Sequence, residues 1–123
     1  MRYLVLSVMF LAACGVQAQV QVQFPPQAVQ LDDAAVQQKI TGRVYAGTLG
    51  STQDRWRMEF KDTFVWINTS RNYQDRGKWR VEKGQLCIDW TRNARVACSD
   101  VRFVGDNMML VFRETELIEM KLD

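Results

Sequence analysis

The alternation of apolar and polar side chains constrains this chain more than any other feature of its sequence. Trp56, Met58 and Phe60 alternate with charged neighbours. Because successive side chains of a β-strand point to opposite faces, this period of two predicts a strand with one buried face. Similar stretches separated by turns cover residues 63–69, 78–82, 85–91, 96–104, 108–113 and 117–122. They predict an antiparallel meander of short strands.

The hairpin around Lys83-Gly84 has a register that the sequence itself suggests. A turn centred on Lys83-Gly84 places Val81 opposite Leu86. It also places Trp79 opposite Ile88, so these four apolar side chains share one face of the hairpin. The charged neighbours then lie on the other face, which predicts one buried and one solvated side.

The next turn tests the same register. A turn centred on Arg92-Asn93 places Cys87 directly opposite Cys98. Opposed residues of an antiparallel pair have Cα atoms ~4.5–5.5 Å apart, which lies inside the ~4.4–6.8 Å that a disulfide allows. We therefore expect a disulfide between Cys87 and Cys98, with two buried free thiols as the alternative.

A third turn extends the apolar face. A turn at Gly105-Asp106 adds the next strand to the face that carries Val101 and Phe103. The side chains it places there are Met108, Leu110 and Phe112. A slip of one residue would send them to the opposite face.

One helix precedes the strands. Residues 31–40 predict a short helix, because an aspartate can cap its first turn and Val36 and Ile40 share a face. Gly42 marks its end, and residues 43–46 predict a first strand. The fold class is therefore mainly β, an antiparallel meander of about eight short strands with one short N-terminal helix.

The meander has two possible outcomes, a small barrel or a strongly bent sheet with the helix over its open side. Six aromatic side chains would fill much of the interior of an eight-stranded closure: Trp56, Phe60, Trp79, Trp90, Phe103 and Phe112. On this count we do not expect a roomy cavity. Residues 31–123 form the single predicted β-domain.

The N-terminus has the layout of a secretory signal peptide. Arg2 precedes an uncharged, mostly apolar run that ends at residue 13 and is too short to span a membrane. Residues 11–14 resemble the bacterial lipobox, in which cleavage precedes an acylated cysteine, here Cys14. Ordinary cleavage after Ala18 is the alternative. We expect a signal peptide at 1–13 and a lipid anchor to the membrane at Cys14.

The cysteine count agrees with export. Three cysteines would leave one free thiol in an exported protein. If Cys14 carries lipid or leaves with the leader, the other two remain for a disulfide in an oxidising compartment. The expected location is the bacterial cell envelope, anchored to the outer membrane and facing the periplasm; a soluble periplasmic or secreted protein is the alternative.

A spacer follows the anchor. Residues 14–30 are rich in glutamine, carry no charge and include Pro25-Pro26, which favours an extended and stiff chain. We predict a flexible tether between lipid and domain. A short edge strand is the alternative, because Val20, Val22 and Phe24 alternate with glutamines.

One motif resembles a known group of proteins. The residues Gly77, Trp79 and Val81, then Gly84, Leu86 and Cys87, and finally Cys98 form a G-x-W-x-V…G-x-L-C…C pattern. This pattern is similar to that of an uncharacterised family of small exported bacterial proteins and lipoproteins. The resemblance implies a short helix followed by a β-hairpin with a paired cysteine. It implies no activity and no catalytic residue.

The composition argues against catalysis and against nucleic acid. The chain has no histidine, which removes the commonest general base and the usual partner of serine and cysteine nucleophiles. Cysteines in a disulfide cannot bind a metal. In the register above Asp89 lies ~13 Å from Asp100, too far for paired acid–base work. Basic residues number 16 and acidic residues 14, with no charge run. We expect no enzyme, metal or cofactor.

Two surfaces carry side chains suited to binding. Residues 68–76 form the longest polar connection and present Arg71, Tyr73 and Arg76. Loops on a rigid scaffold often carry recognition, and arginine and tyrosine are favoured anchors. A solvated loop without a partner is the alternative.

The second surface is aromatic. If Lys61-Asp62 is a two-residue turn, Phe64 and Trp66 point away from Met58 and form an exposed patch beside Arg57. A longer turn would change the register and bury them. These features favour a non-enzymatic envelope binding module for a protein, glycan or small ligand. The alternative is a structural accessory or inhibitor-type lipoprotein that contacts another envelope protein.

Overall fold

The computed structural model describes residues 23–48, 53–92, 94–113 and 115–123. Several predicted features lie outside these residues. They are the signal peptide at 1–13, the lipobox at 11–14 with its Cys14, the alternative cleavage after Ala18, and the tether up to residue 22.

The described residues form eight antiparallel strands and one short helix, and the strands close into a barrel in sequence order. The predicted fold class is confirmed, with a closed barrel rather than a bent sheet. The elements are α1 (Asp33–Ile40), β1 (Val44–Thr48), β2 (Arg55–Phe60), β3 (Phe64–Thr69), β4 (Gln74–Glu82), β5 (Gln85–Trp90), β6 (Arg95–Val104), β7 (Met108–Arg113) and β8 (Glu116–Leu122).

Closure depends on β1, which pairs with two strands. Gly47 lies opposite Trp56 of β2 on one side and opposite Met120 of β8 on the other. Every strand of the barrel therefore has a hydrogen-bonded neighbour on each side over at least part of its length.

The register of β4, β5 and β6 is the predicted one. Val81 pairs with Leu86 and Trp79 pairs with Ile88 across the Lys83-Gly84 turn. Cys87 lies opposite Cys98, and the two sulfur atoms form a disulfide. The disulfide lies on the outer face of the barrel, because the side chains of Leu86 and Ile88 point to its interior.

The register of β7 was predicted wrongly. Val104 pairs with Met108, so the turn has three residues, 105–107, and the whole strand is inverted relative to the prediction. Met109 and Val111 face the interior, whereas Met108, Leu110 and Phe112 lie on the outer face. Since this strand is apolar on both faces, its pattern does not select one register.

The helix closes one end of the barrel. Val36 and Ile40, both fully buried, project from α1 into the end where β4 stops and β5 starts. There they join a core that includes Tyr45, Phe60 and Trp79. The three rings pack edge to face, with centroids 6.3 Å apart for Tyr45 and Phe60 and 5.6 Å apart for Phe60 and Trp79.

Polar contacts attach the helix at both ends. Near its start, the Asp33 carboxylate accepts hydrogen bonds from the backbone N–H groups of Lys83 (3.0 Å) and Gly84 (2.8 Å). Near its end, Lys39 lies 2.9 Å from the carboxylate of Asp106 in the β6–β7 turn. The helix therefore spans the barrel end from one hairpin turn to another.

The described part of the predicted tether, residues 23–30, lies against the barrel. Val29 exchanges two backbone hydrogen bonds with Phe103 of β6. Phe24 contacts the outward-facing Phe112, with ring centroids 6.0 Å apart, and Arg102 lies 4.9 Å from the Phe24 ring. These contacts partly cover the apolar outer face of β7.

Candidate functional site

The barrel end opposite the helix contains a cavity of about 500 Å³. Apolar side chains from several strands line it, among them Met58, Ile67, Ile88, Met109, Ile118 and Met120. Its mouth includes exposed side chains, so it reaches the surface where β2 begins and β3 ends. Cavities of 300–1,000 Å³ with an apolar lining are typical of small-molecule sites.

The expectation that six aromatic side chains fill much of the interior and leave no roomy cavity holds only in part. Phe60, Trp79 and Phe103 do pack in the interior core. Trp56 and Trp90, however, are only half-buried and line the cavity, and Phe112 lies outside the barrel.

Small inward residues leave the space open. Ala97 and Ser99 of β6 also line the cavity and occupy little of its volume. The interior is therefore filled at the helix end and open at the other.

Among the described residues, two arginines line the cavity and no carboxylate does. Arg95 begins β6 and Arg113 ends β7. The guanidinium carbon of Arg113 lies 5.0 Å from the centre of the Trp56 ring. This cation–π contact holds a positive charge at the mouth of an apolar space.

The mouth has a hydrogen-bonded wall beside β4. Asp75, which is 7% exposed, accepts hydrogen bonds from the backbone N–H of Arg92 at 3.2 Å and from the Tyr73 hydroxyl at 3.4 Å. The guanidinium of Arg92 lies 5.2 Å from the Tyr73 ring. The Asp75 carboxylate thus fastens the β5–β6 turn to the start of β4 and positions the Tyr73 ring at the cavity.

The predicted long polar loop is a tight hairpin. β3 continues to Thr69 and β4 starts at Gln74, so most of residues 68–76 is strand. The three candidate residues of this stretch are separated: Arg71 lies in the turn, Tyr73 lines the cavity, and Arg76 points outward from β4. The prediction of a long loop failed because the polar residues Asn68 and Gln74 pair across β3 and β4, which the polar sequence did not reveal.

Phe64 and Trp66 are exposed, although the Lys61-Asp62 turn on which this prediction depended does not form. With Arg76 they make up the outer aromatic patch. Phe64 is 39% and Trp66 45% exposed on the outside of β3. Arg76 lies opposite Trp66, and its guanidinium carbon is 5.9 Å from the Phe64 ring and 5.6 Å from the Trp66 ring. One cation therefore contacts two exposed aromatic rings.

Arg57, predicted to lie beside this patch, is placed elsewhere. Lys61 pairs with Phe64, so the turn consists of Asp62-Thr63 and the register moves by two residues. The same side chains stay outside, but Arg57 lies opposite Asn68 and forms an ion pair with Asp123 at 3.2 Å.

The other polar groups with unusual surroundings belong to the disulfide region and to surface ion pairs. Glu82 lies close to Cys87 and Cys98, but both sulfur atoms are in the disulfide and cannot bind a metal. Ion pairs with lysine lower the pKa of Glu59 and of Asp106, and a hydrogen bond to Asp89 raises the pKa of Arg80. These are solvated surface pairs.

Sequence reasoning missed the mouth residues Arg95, Arg113, Trp56 and Trp90 as a site. A signal was present in β6, because Arg95 has the parity of the inward-facing Ala97 and precedes it at the strand end. For Arg113 the signal was hidden, since the wrongly predicted register of β7 turns this side chain to the outer face.

No helix among the described residues is long and apolar enough to cross a membrane. Comparisons with protein-family models, with curated proteins and with solved structures find no match to this chain.

Proposed function

We propose that this protein is a non-enzymatic ligand-binding module of the bacterial cell envelope. The observation that carries the proposal is the apolar cavity of about 500 Å³ at the end of the barrel that the helix leaves open. A barrel closed by hydrogen bonds all around provides a rigid wall for such a site. The chain has no histidine, and the cavity-lining Cys98 is held in the disulfide, so neither residue type supplies a general base or a nucleophile there.

The envelope part of this proposal comes from the sequence. The short apolar leader, the lipobox before Cys14 and the cysteine pair each favour export. A lipid anchor would keep the binding module at the membrane surface. Mass measurement of the protein from a bacterial membrane fraction tests this part, and an unmodified chain beginning at Met1 would contradict it.

A neutral fluorescent probe tests the cavity. 1-Aminoanthracene emits strongly in apolar surroundings, and we expect it to bind the purified protein with one site per chain. Ala97→Phe adds a ring inside the cavity and should abolish the signal. Lys121→Phe adds the same ring at an exposed position of β8 and should leave it unchanged. Thermal unfolding checks that both variants remain folded. Equal binding by the Ala97→Phe variant, or no binding by the wild type, would contradict the proposal.

The outer aromatic patch supports a second candidate function, contact with another envelope protein. Two exposed rings around one guanidinium are the kind of anchor found at protein interfaces. In a pull-down with the anchored protein, one stoichiometric partner lost on Trp66→Ala but kept on Ala97→Phe would favour this function. A partner lost on Ala97→Phe but kept on Trp66→Ala would favour the cavity as the binding site.

A further inference from the structure

One strand of the barrel, β6, lines the cavity with both of its faces. Each of the other lining strands contributes, among the described residues, only alternate inward side chains, such as Leu86 and Ile88 of β5. From β6 the cavity touches the consecutive residues 95–99. Since successive side chains of a strand point to opposite faces, a cavity can touch all of them only where it passes around an edge of the strand.

The open edge is the side of β6 that faces β7. The pairing of β6 with β5 starts at Arg95, whereas its pairing with β7 starts only at Asp100. Two residues before Asp100, at Cys98, the register reaches the two-residue turn that joins β7 to β8. Val96 therefore lies beyond this turn, and no described strand pairs with it on this side.

The backbone of Val96 directs its hydrogen-bonding groups to this edge. Phe103 of the same strand exchanges both backbone hydrogen bonds with Val29, so its N–H and C=O point away from β7. Because these groups alternate in direction along a strand, those of Val96 point toward β7 and those of Ala97 toward β5. The Val96 side chain is also exposed. An unpaired strand edge beside an apolar opening is a template for an added extended segment.

The N-terminal part of the chain reaches this opening. Gln23 and Phe24 share a groove on the outside of the barrel with Asp100, where the pairing of β6 with β7 begins. From Asp100 to Val96, β6 spans four residues, or ~13 Å. Residues 19–22 lie outside the described residues, and an extended chain of four residues covers the same distance. The residues that precede Gln23 are therefore long enough to reach Val96.

The sequence of this segment suits the opening. Val20 and Val22 alternate with Gln19 and Gln21. In an extended segment the two valines point to one face and the two glutamines to the other. The apolar cavity favours the valines, and solvent favours the glutamines. Both predicted cleavage positions lie before Gln19 and leave the segment attached to the barrel.

We propose that residues 19–22 add to β6 as a short parallel strand and fill the opening in the barrel wall. The two valines point into the cavity, and the backbone of the segment pairs with Val96. The direction is parallel because Gln23 lies beside Asp100, so the preceding residues approach it from the level of Val96. The valines then occupy part of the cavity, and the segment competes with a ligand; this competition rests on the proposed ligand-binding function.

Amide hydrogen exchange of single residues, followed by NMR, tests the docking. In the wild type the Val96 amide should be protected, because it donates to the segment. Val22→Lys places a charge in an apolar cavity and should release the segment, so the Val96 amide should exchange about tenfold faster. Gln21→Lys adds the same charge on the solvent side and is the matched control, with exchange like that of the wild type. The Ala97 amide, which points to β5, should keep its rate in both variants.

The affinity for 1-aminoanthracene tests the competition. If the segment is docked in about nine chains of ten, its release should tighten binding about tenfold, because the apparent affinity follows the fraction of open cavities. We expect this gain in Val22→Lys and not in Gln21→Lys. An unchanged affinity in Val22→Lys would overturn the competition.

The outcomes separate this inference from the proposed function. Equal exchange of the Val96 amide in the wild type and in Val22→Lys would overturn the docking, whether or not the probe binds. Faster exchange in Val22→Lys without binding of 1-aminoanthracene by either protein would support the docking and contradict the ligand-binding function. Protection that falls when the wild type is diluted would assign the segment to a second copy and overturn docking within one chain. Thermal unfolding checks that both lysine variants keep the barrel folded.

Discussion

The hydroxyl of Tyr45 donates a hydrogen bond to the backbone carbonyl of Lys39, with 2.9 Å between the oxygens. Tyr45 is 1% exposed and belongs to β1, whereas Lys39 is in the last turn of α1. The bond therefore connects the barrel interior to the end of the helix that closes it. Because the carbonyl groups at a helix end lack partners within the helix, this tyrosine satisfies a group that would otherwise be unpaired.

Alkaline pH should weaken this connection. Burial raises the pKa of Tyr45 in the fold above its ordinary value of about 10, with Arg43 opposing the shift. The stabilisation is fully present below pH ~10 and is lost as the pH rises through the folded pKa, because the unfolded chain releases its proton first. At pH 7, Tyr45→Phe should lower the free energy of unfolding by about 1 kcal/mol. The difference in free energy of unfolding between the wild type and Tyr45→Phe, measured with denaturant, should be smaller at pH 11 than at pH 7. A gap of equal size at both values would contradict the prediction.

The Cys87–Cys98 disulfide should stabilise the barrel through the unfolded chain. It joins positions separated by 11 residues, and in the chain-entropy model a loop of this length contributes roughly 2–3 kcal/mol. The double variant Cys87→Ala/Cys98→Ala should lose about this amount in denaturant unfolding. A reductant should destabilise the wild type by a similar amount and leave the double variant unchanged. A reductant effect that persists in the double variant would show another cause.

The disulfide also shows what the sequence determines well. Two hairpin turns and the alternation of β4 and β5 agree on one register, and this register places Cys87 opposite Cys98. A shift of one residue would have turned Trp79 and Ile88 outward, so the pattern excluded it. Where one face is apolar and the other charged, pairing could be predicted from the chain alone.

The same reasoning failed where both faces are apolar. In β7 either register buries large side chains, so the pattern could not show that Met109 faces inward and Leu110 outward. The error placed Arg113 outside and hid one of the two arginines that line the cavity. The cavity could not be predicted from the sequence. Its volume depends on which end of the closed barrel receives the large inward side chains and which end receives the small ones.

Truncation of a buried tryptophan should destabilise the barrel much more than truncation of an exposed one. Trp79 is 7% exposed, and its indole N–H donates to the Lys61 carbonyl at 2.7 Å. Trp79→Ala should lower the free energy of unfolding by about 3–5 kcal/mol, because it leaves a cavity and an unpaired carbonyl. Trp66 is 45% exposed, and Trp66→Ala should cost less than about 1 kcal/mol. Denaturant unfolding of both variants provides the comparison, and a large cost for Trp66→Ala would show that the outer aromatic patch is structural.

Gly77 should be intolerant of even one added carbon. It lies in the middle of β4, and a Cβ atom there would be 2.6 Å from the Asp89 carbonyl oxygen and 2.9 Å from the Ile88 Cγ2 atom. The first neighbour is backbone on the paired strand β5, so relief would require the two strands to separate. Gly77→Ala should lower the free energy of unfolding by about 1–3 kcal/mol. Lys78→Ala, the next position with an exposed side chain, is the control and should change stability little. A Gly77→Ala variant as stable as the wild type would show that β4 and β5 are not packed as closely as described.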